Sequence, residues 1–557
     1  MSTEGEPVRN SVKVKATKVD LHSNTTTVTD NDADMTAPTI PVKRSFGQSV
    51  IIVAACTGTM ILNVALASGV SIAIPKTAES LHMSSSEVSW IISAFTLSSG
   101  CLLVLLGRLA DLYGRKLVWM AGGLWTTVFT LACGFAQTGV QLIILRAMSG
   151  IGQAAMIPAA IGILAHSFPP SRARSVAFAT FSAGAPLGAS LGMVFGGVMA
   201  QYASWRGIYY FAAGIGLVVL VAGMFSIDKD NHHHGIDKRV DWIGAFLVTA
   251  GLVLLTYGLT DGPSRGWSSP LVISFLVLSI LLIGVFCLWE HYLITRCSFP
   301  PLMPLDIWTR DHGRFSAMQL TGFLEWACFT SLTFWVMLYY QNYLRLSPML
   351  AMVRVIPMAV TGVICNIVVA ITVGHISGAY LLALGTVATS LAALLFAIID
   401  TSAPYWSYGF PSAIICVFGA DFVFACGTIF VAKVAHPSEQ SLAGALFQTV
   451  TMLGTTFGLS VTTIAEAAGQ RSEARRLGIT LSPSETALEI PPLVLLKGYR
   501  IAQWTSFGLG MLGFMTVVVF LHGIGVLGAR KKRDPSTEKM PVSEKGPVAA
   551  NEVLDKA

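Results

Sequence analysis

Fourteen long apolar runs leave this chain few possible folds. They cover residues 50–74, 87–107, 117–137, 141–165, 176–200, 208–227, 242–260, 271–289, 315–339, 349–372, 379–399, 409–431, 442–465 and 501–527. A helix needs about 20 such residues to cross a bilayer core about 30 Å thick. Charge is spread accordingly. Residues 1–48 and 528–557 hold 24 of the 66 charged side chains, leaving 42 over the 479 residues between them. Charged residues make up 12% of the chain, against about 25% in soluble proteins. A soluble multidomain enzyme is excluded, and an all-α polytopic membrane protein is expected.

Lysine and arginine set the orientation. With the N-terminus in the cytosol, 18 cations fall inside, among them Arg108, Arg115, Lys116, Arg172, Arg174 and Arg530–Arg533, and 9 outside. Five of those nine sit in one long outer loop, 466–500. An even span count returns the C-terminus to the cytosol. Basic residues cluster at loop edges and form no continuous face, which argues against nucleic-acid binding. The polar tails 1–48 and 528–557 are expected to be disordered. The chain has no Gly-Lys dipeptide and so no Walker A loop, which excludes an ATP-driven pump on this chain. The nine cysteines include no CxxC pair and are expected to be buried thiols. His232-His233-His234 could bind metal but lacks a fourth ligand, and no metal or cofactor is expected.

The span 2–3 junction reads Gly107-Arg108-Leu109-Ala110-Asp111-Leu112-Tyr113-Gly114-Arg115-Lys116. Two glycines would allow a tight turn, and Asp111 could cap a helix or pair with a cation on a neighbouring helix. Span four carries Arg146, Gly150 and Gly152; a guanidinium at that depth must face protein or water. Span five carries Gly184, Gly188, Gly192 and Gly196 at four-residue spacing, with Gly197 beside them. Such a stripe lets another helix approach closely.

These motifs resemble the major facilitator superfamily. The loop matches its signature G-x-L-x-D-x-x-G-R-K/R at every position, and Arg146-Gly150-Gly152 matches its fourth-span pattern R-x-x-x-G-x-G/Q. The glycines resemble the G-P-x-x-G-G run of its fourteen-span drug:H⁺ antiporters, although Met193 stands where that run has proline and Pro186 follows Gly184 instead. The resemblance covers roughly residues 48–528. It implies two six-helix bundles, 49–227 and 315–527, with an extra hairpin at 242–289 between the cytoplasmic loops 228–241 and 290–314. It implies a cytoplasmic gate latch at Gly107, Asp111, Gly114, Arg115 and Lys116, a part for Arg146 in proton transfer, and a substrate site at the midplane between the halves. The expected activity is proton-coupled export of toxins, drugs or secondary metabolites by a monomer in the plasma membrane, or else the vacuolar membrane. The proton gradient would take the place of any cofactor. The same fold could instead move a small solute such as ammonium or borate. A sensor is a third reading, disfavoured because both tails are short and poor in apolar residues.

Few charges lie within spans. Glu325 sits mid-span in the ninth and Asp421 in the twelfth, while Arg354 is in the outer part of the tenth. Desolvation penalises the charged form of a buried carboxyl, and a carboxyl poised to gain and lose a proton can carry one. Glu325 is the first expected proton carrier and Asp421 the second; either could instead pair with Arg354. Asn63, Trp90, Phe95, Trp326 and Arg354 are the candidate cavity residues.

Overall fold

A computed structural model describes residues 45–527 apart from 84, 170, 229–238, 298 and 480–489. The tail expectations, the histidine tract 232–234 and the basic cluster 530–533 therefore lie outside the described residues. In lipid every backbone N–H and C=O must be bonded within its own segment. Among the described residues the chain accordingly forms fifteen α-helices and no β-strand.

The first half holds α1 (Phe46–Ser80), α2 (Ser85–Cys101), α3 (Leu103–Tyr113), α4 (Arg115–Cys133), α5 (Gly139–Ser167), α6 (Arg172–Tyr202) and α7 (Arg206–Ser226). The helices α8 (Trp242–Arg265) and α9 (Pro270–Arg296) make a hairpin. The second half holds α10 (Arg314–Leu338), α11 (Pro348–Thr372), α12 (Gly378–Ala397), α13 (Tyr405–Val434), α14 (Gln440–Arg476) and α15 (Pro492–Phe520). The helices α2 and α3 are one span bent by 45° at Leu102, which brings the membrane-crossing helices to the expected fourteen. Helix starts are fixed where short polar side chains meet the free N–H groups of a first turn. Thr138 caps α5 at Gln141, Ser171 caps α6 at Arg174, Asp241 caps α8 at Gly244 and Ser347 caps α11 at Leu350.

The four-residue glycine stripe of α6 packs on α1. A Cβ at Gly188 would stand 2.6 Å from the Ile61 carbonyl oxygen, one at Gly192 2.5 Å from that of Ala65, and one at Gly196 2.5 Å from that of Gly69. Gly184 meets Met60 and Thr57 in the same way. Gly197 does not belong to the stripe: nothing lies within 4 Å of the position its Cβ would take. One residue turns a helix by about 100°, which carries Gly197 off the contact face.

Two further expectations are corrected. The outer loop at 466–500 is shorter than expected, because α14 runs on to Arg476 and α15 starts at Pro492. A count of apolar residues misses that extension, which is held by polar i,i+3 and i,i+4 pairs: Gln470 donates to Glu466, and Arg476 Nε to Glu473 at 2.9 Å. The motif at 107–116 is mostly helix, and only Gly114 makes the turn, with φ 109°. Gly107 lies inside α3, where a Cβ would stand 2.6 Å from Ala445 Cβ and 3.1 Å from the Ser441 carbonyl oxygen. Its smallness serves the approach of α14.

Candidate functional site

The two halves are fastened at the ends that the Lys and Arg count assigns to the cytosol. Asp111, at the end of α3, accepts hydrogen bonds from the backbone N–H of Ser441 (3.2 Å) and Leu442 (2.9 Å), the free donors of the first turn of α14. A carboxylate is stabilised there by the helix dipole as well. Arg115 pairs with Asp111 at 3.1 Å and donates to the carbonyl of Pro437, just before α14. Arg174 of α6 donates to the Ala432 carbonyl near the end of α13 at 2.8 Å. Lys116 turns the other way and donates to the Met224 and Ile227 carbonyls at the end of α7. Arg310, in the segment joining the hairpin to α10, bonds Glu439 at 2.7 Å and Asp306 at 2.8 Å. Burial works against the Arg310 charge, but the bonds to Glu439 and Asp306 outweigh it and hold its proton more firmly than usual. Gly107, Asp111 and Arg115 thus meet the start of α14 in one joint, Gly114 makes the turn between α3 and α4, and Lys116 binds within its own half.

At mid-depth the seam between the halves is aromatic. Phe181 of α6 stacks on Phe424 of α13 with centroids 6.4 Å apart, and Phe424 also meets Trp326 at 5.6 Å and Phe447 at 6.1 Å. One turn from Phe424 stands Asp421. Its Oδ1 accepts from Asn366 Nδ2 of α11 at 2.8 Å, and its Oδ2 has no partner. A Cβ at Gly362 would lie 2.7 Å from Pro186 Cβ and 3.0 Å from Asp421 Oδ2. The carboxyl, the α11 backbone and the α6 proline therefore meet at one point of the seam.

Glu325 stands elsewhere. It is fully buried inside the second half, facing Thr389 of α12 and Gly419 of α13. Neither carboxylate oxygen has a hydrogen-bond donor in good geometry, and the Thr389 hydroxyl is turned to the Cys416 carbonyl at 2.9 Å. Neither carboxyl pairs with Arg354, the alternative weighed for both. Arg354 lies over the Tyr340 and Tyr405 rings, 5.2 and 5.3 Å from their centroids. The reason is depth. Arg354 is near the start of α11, and Asn366 is about 18 Å further along the same helix at 1.5 Å per residue.

The candidate cavity residues are dispersed. Trp90 stacks on Tyr257 of α8 with centroids 5.6 Å apart, Phe95 lies beneath Arg146, Asn63 is buried in α1, and Trp326 alone joins the aromatic seam. Arg146 is buried, donating to the Ile91 carbonyl at 3.0 Å and the Leu66 carbonyl at 3.4 Å. Phe181, Asn366, Gly362 and Pro437 were not singled out from the sequence. Asn366 carried a usable signal, a lone amide in an apolar run; the others did not.

Comparison with known proteins agrees with this architecture. The sequence profile described as Major Facilitator Superfamily matches residues 52–459. An Aspergillus terreus protein named efflux pump terJ is 26% identical over 90% of this chain and 92% of its own length. A Saccharomyces cerevisiae protein named low affinity ammonium transporter is 26% identical over 78% of this chain and 81% of its own. The crystal structure of the human organic anion transporter MFSD10 superposes with a TM-score of 0.58 at 15% identity, covering 84% of this chain and 99% of that one, and shows the shared fold. With fourteen membrane-crossing helices in two six-span halves and a family match over most of its length, the chain belongs to the Major Facilitator Superfamily and is a multi-pass membrane transporter, similar to fungal efflux pumps.

Proposed function

We propose that the chain exports uncharged or weakly charged amphipathic organic molecules, of the toxin, drug or secondary-metabolite kind, across the plasma membrane as a monomer in exchange for incoming protons. The observation that carries this reading is the seam at mid-depth. It pairs an apolar aromatic surface, Phe181, Phe424 and Trp326, with a single carboxyl, Asp421, whose Oδ2 is free to take a proton. Such a lining suits organic substrates held by apolar contact with a few placed polar groups. The relative named as an efflux pump supports the direction of transport. Position makes Asp421 the first candidate for proton coupling, ahead of Glu325, which lies within one half rather than between the two.

The test is flux in proteoliposomes with an imposed pH gradient. Asp421→Asn should end gradient-driven transport and leave substrate-for-substrate exchange intact. Full gradient-driven transport in that variant would remove Asp421 from the mechanism. A second reading, movement of a small solute such as ammonium, is favoured by the relative so named. Uptake of labelled methylammonium that outpaces every organic substrate would select it.

A further inference from the structure

One amide holds the seam carboxyl. Asn366 of α11 is 2% exposed and sits in an apolar run. Its Nδ2 carries two hydrogens and has two acceptors, the Gly362 carbonyl one turn back at 2.9 Å and Asp421 Oδ1 of α13 at 2.8 Å. Both neighbours only accept while the carboxyl is ionised, so the amide has one orientation. A flip would set its own oxygen against two others. The first bond fixes the amide to its helix, and the second fixes the carboxyl to the amide. Asn366 Oδ1 is buried without a partner. A leucine would fill the same space and leave no orphan oxygen, so packing alone does not account for an amide here.

The two carboxylate oxygens are thereby made unequal. Oδ1 already faces an N–H donor, and a proton placed there would meet it. Oδ2 is buried and has no partner. It lies 3.0 Å from the position of a Cβ on Gly362, which is itself 2.7 Å from Pro186 Cβ of α6. The open oxygen is thus the one at the contact of α6 with α11, between the halves. The helices α5, α6, α10, α11, α12 and α14 pack on α13. The titratable groups brought near Asp421 are two thiols, Cys365 of α11 and Cys416 of α13. Glu325 of α10 faces Gly419, two positions and so about 200° away round α13. Among the described residues no cation pairs with Asp421.

We propose, on the reading that Asp421 carries the proton, that Asn366 is the positioning residue of the coupling site: it occupies Oδ1, directs the proton to Oδ2 and keeps that oxygen turned to the seam. The proton arrives at Oδ2 from the outer side and leaves from it to the inner side, and the amide itself exchanges none.

The test is gradient-driven transport in proteoliposomes at a constant pH difference, with the absolute pH stepped. Asn366→Leu keeps the shape and withdraws the donor. The ionised carboxyl then loses a hydrogen bond that the protonated one makes more weakly, so the alkaline fall-off of transport should move up by about one pH unit. In an Asp421→Asn background the same leucine should leave substrate-for-substrate exchange, and its pH dependence, as Asp421→Asn alone has them. A leucine that slows exchange in both backgrounds and leaves the pH profile in place would overturn the proposal, since loosened packing gives that pattern. If Asn366→Leu does not reach the membrane, Asn366→Ala withdraws the same donor with less bulk and is held to the same outcomes. Full gradient-driven transport by Asp421→Asn itself would instead remove the reading on which the role of Asn366 rests, so the two failures are told apart.

Discussion

Replacing Asp111 by asparagine should loosen the cytoplasmic joint without altering which substrates are carried. The carboxylate accepts two backbone N–H groups of α14 and two hydrogens of Arg115. Asparagine keeps one acceptor oxygen and turns an NH₂ toward donors. A hydrogen bond to a charged group contributes about 1.5–3 kcal/mol, and breaking a buried ion pair costs about 3–5 kcal/mol. Arg115 keeps the Pro437 carbonyl, which places the loss at the lower end, about 2–3 kcal/mol. At about 1.4 kcal/mol per tenfold, the inward-closed state loses a factor of roughly 30–150 against the inward-open one. The assay is maleimide labelling of Ala445→Cys, which faces Gly107 in the closed joint, with Cys287 and Cys297, the two cysteines not buried, changed to serine. Labelling from the cytoplasmic side should accelerate by about that factor. Transport should slow for every substrate, with half-saturating concentrations near normal. An unchanged labelling rate, or a changed substrate order at unchanged speed, would refute the reasoning.

The remaining expectations are simpler to state. Glu325→Gln should retain gradient-driven transport, because its carboxyl lies inside one half; its loss with normal protein levels would return the coupling role to Glu325. Gly192→Ala should lower the unfolding midpoint in detergent, since a Cβ there would stand 2.2 Å from Ser68 Oγ and 2.5 Å from the Ala65 carbonyl oxygen, whereas Gly197→Ala should leave it unchanged. Tags at positions 20 and 545 should both resist protease added outside intact cells; exposure of one alone would give an odd span count. A cross-link between Trp90→Cys and Tyr257→Cys should stop transport, and one between Leu259→Cys and Ser460→Cys should be tolerated; the reverse pattern would mean that the hairpin moves with the first half.

The span count was legible because bilayer thickness acts on every run alike, so counting apolar residues is enough. The loop signature was legible too, and its function as a joint is visible in Asp111, whose two options of cap and ion pair are both realised. What the sequence lacks is the partner. Asp111 meets Ser441 and Leu442 about 330 positions away, and nothing local to either segment marks the other. The same gap left Arg354 open as a partner for either carboxyl, whereas Asn366 stands beside Asp421. Equal sequence depth also hid the difference between Glu325 and Asp421. Both are single carboxyls in apolar helices, and only the packing decides that one faces its own bundle and the other the seam.

The hairpin α8–α9 interrupts the chain between the halves, and its contacts indicate which half it accompanies. The helix α8 touches both α2 and α14, so it straddles one seam, while α6 and α11 meet at the other. To α2 it presents the Trp90–Tyr257 stack, at 5.6 Å with planes 29° apart. To α14 it is tied by Ser460 Oγ, which donates to the Leu259 carbonyl at 2.8 Å. Alternating access rocks one half against the other, so one of these contacts must give. Offset aromatic faces can slide past each other, because the stack contributes only about 0.5–1.5 kcal/mol and has no fixed register. The Ser460 hydroxyl can fall back on the Thr456 carbonyl of its own helix, also at 2.8 Å, but the Leu259 carbonyl stands four residues before Pro263 and has no backbone N–H to replace the bond when it breaks. The end of α9 is also tied to the segment that leads into the second half. Glu290 of α9 accepts from the Met303 N–H at 3.2 Å, and the segment that follows carries Arg310 to Glu439 at the start of α14. Both ties lead to α14, which predicts that the hairpin rides with the second half and slides over α2.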